Sequence, residues 1–151
     1  MFMKNTIIAL TVLLLLAACG SKGPKEVPFT MADRYFFNNG QEIPSDPKIT
    51  TEEAFKTFFG MATVMGEGGK PTPIDFDKQF VLAVVLPTTT ISTDITPKKV
   101  EVTEDYINYS YDIVCGKELS YTIQPVSIII LDKKYRDKQV NLLPTQILKV
   151  E

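Results

Sequence analysis

The sequence predicts an α+β fold, with one main helix packed on a mostly antiparallel sheet or partly open barrel. Three patterns carry that reading: a single amphipathic helical stretch near residue 55, two wholly apolar runs at 80–86 and 126–131, and period-two alternation between them. In the helical stretch, Thr50 followed by Glu53 matches a capping box, in which hydroxyl and carboxylate each satisfy an orphan backbone amide. Ala54, Phe55, Phe58, Phe59, Ala62 and Met65 then recur at three- and four-residue spacing on one face, and Gly66 supplies the C-cap. Phe80-Val81-Leu82-Ala83-Val84-Val85-Leu86 and Val126–Leu131 lack polar alternation, the mark of central strands covered on two sides. Val81, Ala83 and Val85, with Ile128 and Ile130, offer a surface to receive Phe55, Phe58 and Phe59.

The remaining elements follow from shorter signals. Ala32–Asn38 reads as a first strand closed by the turn Asn38-Asn39-Gly40, and Ile43–Lys48, with Pro44 and Pro47, as a loop. Val100 and Val102 alternate inward, and Glu104-Asp105 is a turn. Ile107, Tyr109, Tyr111 and Ile113 share one face. Leu119, Tyr121 and Ile123 repeat that pattern after Cys115-Gly116-Lys117, which predicts a hairpin in which Tyr109 and Tyr111 pack against Tyr121 while Tyr106 projects outward. Val140-Asn141-Leu142 and Ile147–Val150 add edge pieces.

The N-terminus predicts an address. Lys4 leads into an apolar run, Thr6–Ala18, of about a dozen residues, short of the roughly 20 that span a bilayer core. Leu16-Ala17-Ala18-Cys19 follows and resembles a bacterial lipobox. A basic start, a short apolar stretch and small residues before the cut describe a secretory signal. The expected organisation is a lipoprotein signal peptide at 1–18, a flexible tether at 19–28 and a single α+β domain at 29–151, with Cys19 the lipidation site. Acyl chains of the palmitate type anchor by about 0.8 kcal/mol per buried methylene. The expected location is the cell envelope, on the outer membrane. Losing Lys4 with the signal takes the formal charge from −2 to −3, and the basic residues are scattered apart from Lys133, Lys134, Arg136 and Lys138, which are interleaved with acids as in a solvated turn. Nothing in that distribution draws nucleic acid. With Cys19 lipidated, Cys115 is the one cysteine left, no intrachain disulfide forms, and core burial must hold the domain.

Two blocks resemble a known family. Pro73-Ile74-Asp75-Phe76-Asp77-Lys78-Gln79-Phe80-Val81-Leu82-Ala83-Val84 is similar to the opening of the PrcB C-terminal type domain, and Gln124-Pro125-Val126-Ser127-Ile128-Ile129-Ile130, followed by Asp132-Lys133, to its ending. The resemblance covers residues 50–134 and implies a small exported α+β module associated with a protease. Where that family carries a glycine-rich segment after the central strand, this chain has Pro87-Thr88-Thr89-Thr90. The chain also resembles small lipoproteins of Bacteroidetes.

Chemistry is constrained by what the composition lacks. There is no histidine, which removes Ser-His and Cys-His nucleophile pairs, histidine bases and histidine metal sites. Ser45-Asp46-Pro47-Lys48 fits an acyl-serine motif, but Pro47 forces Asp46 toward extended geometry where that chemistry needs a helix. Asp75 and Asp77 are paired carboxylates with too few neighbouring acids for calcium, and Asp75 is expected to tie a turn. Gly66-Glu67-Gly68-Gly69 follows a helix and lacks the Lys-Ser/Thr ending of a phosphate loop. No catalytic, cofactor-binding or metal residue is assigned, and no cofactor is expected. The expectation is a non-enzymatic module binding an envelope protein or peptide through the polar loop Pro87–Pro97, with Thr88, Thr89, Thr90, Ser92, Thr93 and Tyr106 as contacts. The alternative is a glycan-binding lipoprotein using exposed tyrosines.

Overall fold

The two apolar runs pair with each other. In the computed structural model, which describes residues 22–149, strand β6 (Gln79–Val85) and strand β9 (Val126–Asp132) run antiparallel from Gln79↔Asp132 to Val85↔Val126. At the Val85 end, the Leu86 amide donates to the Pro125 carbonyl (3.0 Å) and Gln124 Nε2 to the Leu86 carbonyl (3.2 Å). Beyond this corner the same two chains pair again, as β7 (Thr89–Val102) and β8 (Tyr106–Ile123), from Thr89↔Ile123 to Val102↔Ile107. Residues 79–132 thus form one long hairpin, with its turn at Thr103–Asp105, bent back on itself at Leu86–Thr88 and Gln124–Pro125.

Short elements complete the sheets. Strands β1 (Lys25–Val27) and β10 (Gln139–Lys149) flank the β7–β8 half, giving the order β1-β7-β8-β10, with β10 parallel to β8. Strands β2 (Thr30–Met31) and β4 (Lys48–Ile49) flank the other half, in the order β2-β9-β6-β4. Strand β3 (Tyr35–Phe37) pairs with β5 (Phe59–Met61) in a third, two-stranded sheet. Arg34, at φ 67°, turns the chain from β2 into β3.

Alternation along β6 divides the core. Phe80, Leu82 and Val84, with Ile129 and Leu131, meet Val27, Val100, Val102, Ile107, Tyr109 and Tyr111 of the first sheet. Val81, Ala83 and Val85, with Ile128 and Ile130, meet Ala32, Phe37, Ile49, Phe55 and Phe59 on the other side. The middle sheet is therefore buried on both faces, which explains its unbroken apolar sequence; each such side chain contributes about 1.5–3 kcal/mol over leaving it in water.

The predicted α+β class is overturned: the fold is all-β, with several sheets. The one α-helix among the described residues, α1, is Glu52–Phe58, seven residues long. Its N-cap is Thr51 rather than Thr50, the hydroxyl accepting from the Ala54 amide at 3.2 Å. It stops far short of Gly66 because Phe59-Gly60-Met61 pairs with Tyr35–Phe37, where Phe59 reaches Phe37 (ring centroids 5.7 Å). Gly60 weakens the helical alternative by about 1 kcal/mol, so the strand pairing wins.

The proposed hairpin at Cys115-Gly116-Lys117 is also corrected. Those residues lie inside β8, and the polar stretch read as a loop is its partner, β7. Gly116 sits over Ser92, where an added Cβ would stand 3.4 Å from the serine Cβ. Tyr121 is on the same strand as Tyr109 and too far along it to pack there; it is exposed, while Tyr109 and Tyr111 lie side by side in the core with ring centroids 5.4 Å apart. Lys25–Val27, inside the segment expected to be a tether, forms β1 with Val27 in the core. The signal peptide and Cys19 lie outside the described residues.

Lys133 and Lys138 do not stand free in a solvated turn. Lys133 Nζ donates to the Phe76 and Asp77 carbonyls (both 3.2 Å), Lys138 Nζ donates to the Glu104 carbonyl, and the Gln139 amide donates to the Asp105 carbonyl (2.9 Å). These ties fasten the link between β9 and β10 beside the Thr103–Asp105 turn.

Candidate functional site

The bend in the ribbon leaves a groove of about 670 Å³ on its inner side. Its floor is one face of the β7–β8 pair, where Thr93 lies opposite Cys115 and Ile91 and Ile113 flank them; Leu86, Pro87, Thr88 and Pro125 of the corner form its wall. Leu86 and Ile113 also pack against the inter-sheet core, so the groove is the surface continuation of that core. The threonine hydroxyls on the floor are engaged within their own strand. Thr93 Oγ1 donates to the Ile91 carbonyl (2.9 Å), and Thr89 Oγ1 accepts from the Ile91 amide (3.0 Å). What remains for a ligand is mostly methyl and methylene surface. Apart from the half-buried Cys115 thiol, no lining side chain among the described residues is ionisable.

Of the predicted contact residues, the structure brings Thr88, Thr89 and Thr93 together in this groove. Thr90 and Ser92 alternate to the opposite face of β7. Tyr106 lies at the other end of the molecule: it begins β8 opposite Gln139, its amide donates to Thr103 Oγ1 (3.0 Å), and the residue is 41% exposed. The exposed Tyr106 and Tyr121 stand near opposite ends of one strand and do not form a shared platform. Ile91, Ile113, Cys115, Leu86 and Pro125 were not anticipated as groove residues. Period-two alternation of β-branched side chains at Thr89, Ile91, Thr93 and Ile95 was the signal available for a strand there.

Two buried polar features lie outside the groove. The hydroxyls of Tyr109 and Ser127 are enclosed between the sheets, near each other but without a well-formed hydrogen bond. Burial pushes the Tyr109 phenol up to about 12, with the Ser127 hydroxyl opposing that shift and Tyr111 adding to it. On the outer face of the first sheet, the buried Asp112 carboxylate accepts from Thr145 Oγ1 and pairs with Lys98 Nζ at 3.0 Å. Thr145 is placed by a register shift between Pro144 and Gln146, and its hydroxyl also donates to the Tyr111 carbonyl (3.2 Å). The Thr145 hydrogen bond first, and Lys98 second, hold the Asp112 carboxyl below the usual carboxylate range.

The arrangement around Asp112 ties β7, β8 and β10 together, and its sign with pH is defined. A carboxyl whose folded value lies below the unfolded value of about 3.9 stabilises the fold above that pH and loses its contribution as pH falls through it. Wild type is therefore expected to exceed Asp112→Asn in urea midpoint at pH 7, and the gap is expected to narrow between pH 5 and pH 3. A gap of constant size across that range would show that the carboxylate does not carry the effect.

The paired carboxylates tie a turn. Asp75 Oδ1 accepts from the Asp77 amide (3.0 Å), and the Asp75 carbonyl accepts from the Lys78 and Gln79 amides as the chain enters β6. Among the described residues, no group of three or more Cys, Asp or Glu side chains is placed to hold a metal ion, and no helix is long and apolar enough to cross a membrane. Ser45 and Lys48 do not share a helix; Lys48 opens β4, and its Nζ donates to the Lys138 carbonyl (2.8 Å). No protein-family model, curated protein or solved structure matches the chain.

Proposed function

We propose that the protein is a non-enzymatic binding module of the cell envelope, anchored through lipid on Cys19, that takes an extended, uncharged stretch of another envelope protein or peptide into the groove at the ribbon corner. The observation that carries this reading is the groove itself, concave, about 670 Å³, apolar, and without a charged side chain among the described residues that line it. That volume lies within the roughly 300–1,000 Å³ of ligand-binding clefts. The resemblance of Pro73–Val84 and Gln124–Lys133 to the PrcB C-terminal type domain supports a protease-associated partner.

A carboxylate placed on the groove floor tests this reading. Ile91→Glu sets an unpaired charge against the apolar surface of a bound segment, which at about 1.4 kcal/mol per tenfold is expected to reduce partner recovery by at least tenfold. Partners are captured from native envelopes on the anchored protein, with Tyr106→Ser, at the far end, as the control expected to retain them. Equal recovery on wild type and Ile91→Glu, with both variants melting alike, would place binding elsewhere.

A further inference from the structure

We infer that the molecule stands on the membrane by its Thr103–Asp105 end and opens the groove away from the anchoring bilayer, so that the groove serves a polypeptide standing off the membrane rather than the bilayer's own lipid. This rests on the lipid-anchored reading above. Strand β1 is antiparallel to β7, with Lys25 opposite Val102 and Val27 opposite Val100. Strand β1 therefore enters the sheet at the Val102 end, which also holds Tyr106, Lys134 and Lys138 with Glu104, Asp105 and Asp137 beside them.

The groove lies toward the other end of the same strand. From Val102 back to Thr93 the chain covers about 30 Å at the strand rise of about 3.3 Å per residue. Cys19 and Lys25 are six residues apart in sequence, and six residues of chain reach at most about 20 Å. An inverted pose, with the groove against the headgroups, would lift Lys25 farther from the bilayer than that length allows. An upright or tilted pose does not. The lining is consistent with this assignment: among the described residues, Thr88, Thr89, Thr93 and the two prolines supply no lysine or arginine to meet anionic headgroups.

Fluorescence quenching tests the orientation. With the Cys19 sulfur acylated, Cys115 is the remaining thiol of a chain that has two cysteines, so a thiol-reactive fluorophore reports from the groove. The lipidated protein is reconstituted in phosphatidylethanolamine–phosphatidylglycerol vesicles carrying a headgroup nitroxide. A second protein, Cys115→Ser with Tyr106→Cys, carries the label at the opposite end, and Lys134→Cys replaces Tyr106→Cys if that variant does not fold. The label at 106 or 134 is expected to be quenched at least threefold more than the label at 115. Equal or stronger quenching at 115 overturns the inference and makes bilayer lipid the groove's neighbour. Intact mass separates this from failure of the anchoring itself: a mature chain without acyl mass, or a Cys19→Ser chain that still partitions with vesicles, removes the anchored reading and the inference with it.

Discussion

Phe80→Ala is expected to cost about 3–5 kcal/mol, a large share of the roughly 5–15 kcal/mol that holds a domain folded. Phe80 is fully buried in β6, on the face that meets Val27, Val100, Val102, Ile107, Tyr109 and Tyr111. Its neighbours are held by paired strands on both sides and cannot collapse into the space a truncated ring leaves, so the cavity penalty adds to the lost transfer energy. Urea unfolding followed by tyrosine fluorescence measures it. A loss below about 1 kcal/mol would mean that the two halves of the ribbon do not close over this ring.

Phe59→Ala is expected to cost nearly as much, and clearly more than Phe58→Ala. Phe59 is 3% exposed, with ring centroids 5.7 Å from Phe37 and 5.1 Å from Phe55, and its backbone pairs with Phe37. Phe58 is only partly buried and stacks on Phe37 at 6.4 Å. A helix continuing through residue 65 would place both rings on its buried face and make the two losses similar. The observed break after Phe58 predicts about 3–5 kcal/mol for Phe59 and roughly half that for Phe58. Equal losses would reinstate the longer helix.

What was legible in the sequence follows from which residues had a single reading. Val81–Val85 and Ile128–Leu131 have no polar alternation, and only strands covered on both faces suit them; the facing of Val81, Ala83 and Val85 toward Phe55 and Phe59 is found in the structure. The segment from Phe55 to Met65 had two readings, because Phe59 fits a helical stripe as well as a buried strand position, and the decision rested on a pairing with Tyr35–Phe37 that only tertiary structure reveals. Cys115-Gly116-Lys117 looked like a turn because glycine is a common turn residue, whereas here Gly116 lies inside β8, where an added Cβ would make only ordinary contact with Ser92. At the site, Thr88, Thr89 and Thr93 were named for their polarity, yet Thr89 and Thr93 bond their own strand and the groove is apolar. Grouping them with Tyr106 failed because no local pattern records how far apart two stretches of one hairpin end up.

The bent ribbon is expected to zip from its Thr103–Asp105 turn, where its strands are closest in sequence. Pairing that begins at Val102 and Ile107 closes a short loop, and each further pair toward Gln79 and Asp132 enlarges that loop by a small step with little added entropic cost. The strands β1, β2, β4 and β10 instead wait for partners already in place. Until they arrive, β6 and β9 form the most apolar part of a nascent hairpin, with one or both faces in water. Such a species is prone to self-association. Closing the ribbon at Leu86–Thr88 and Gln124–Pro125 covers the apolar face of β6 and β9 that meets the first sheet, and the same bend forms the groove.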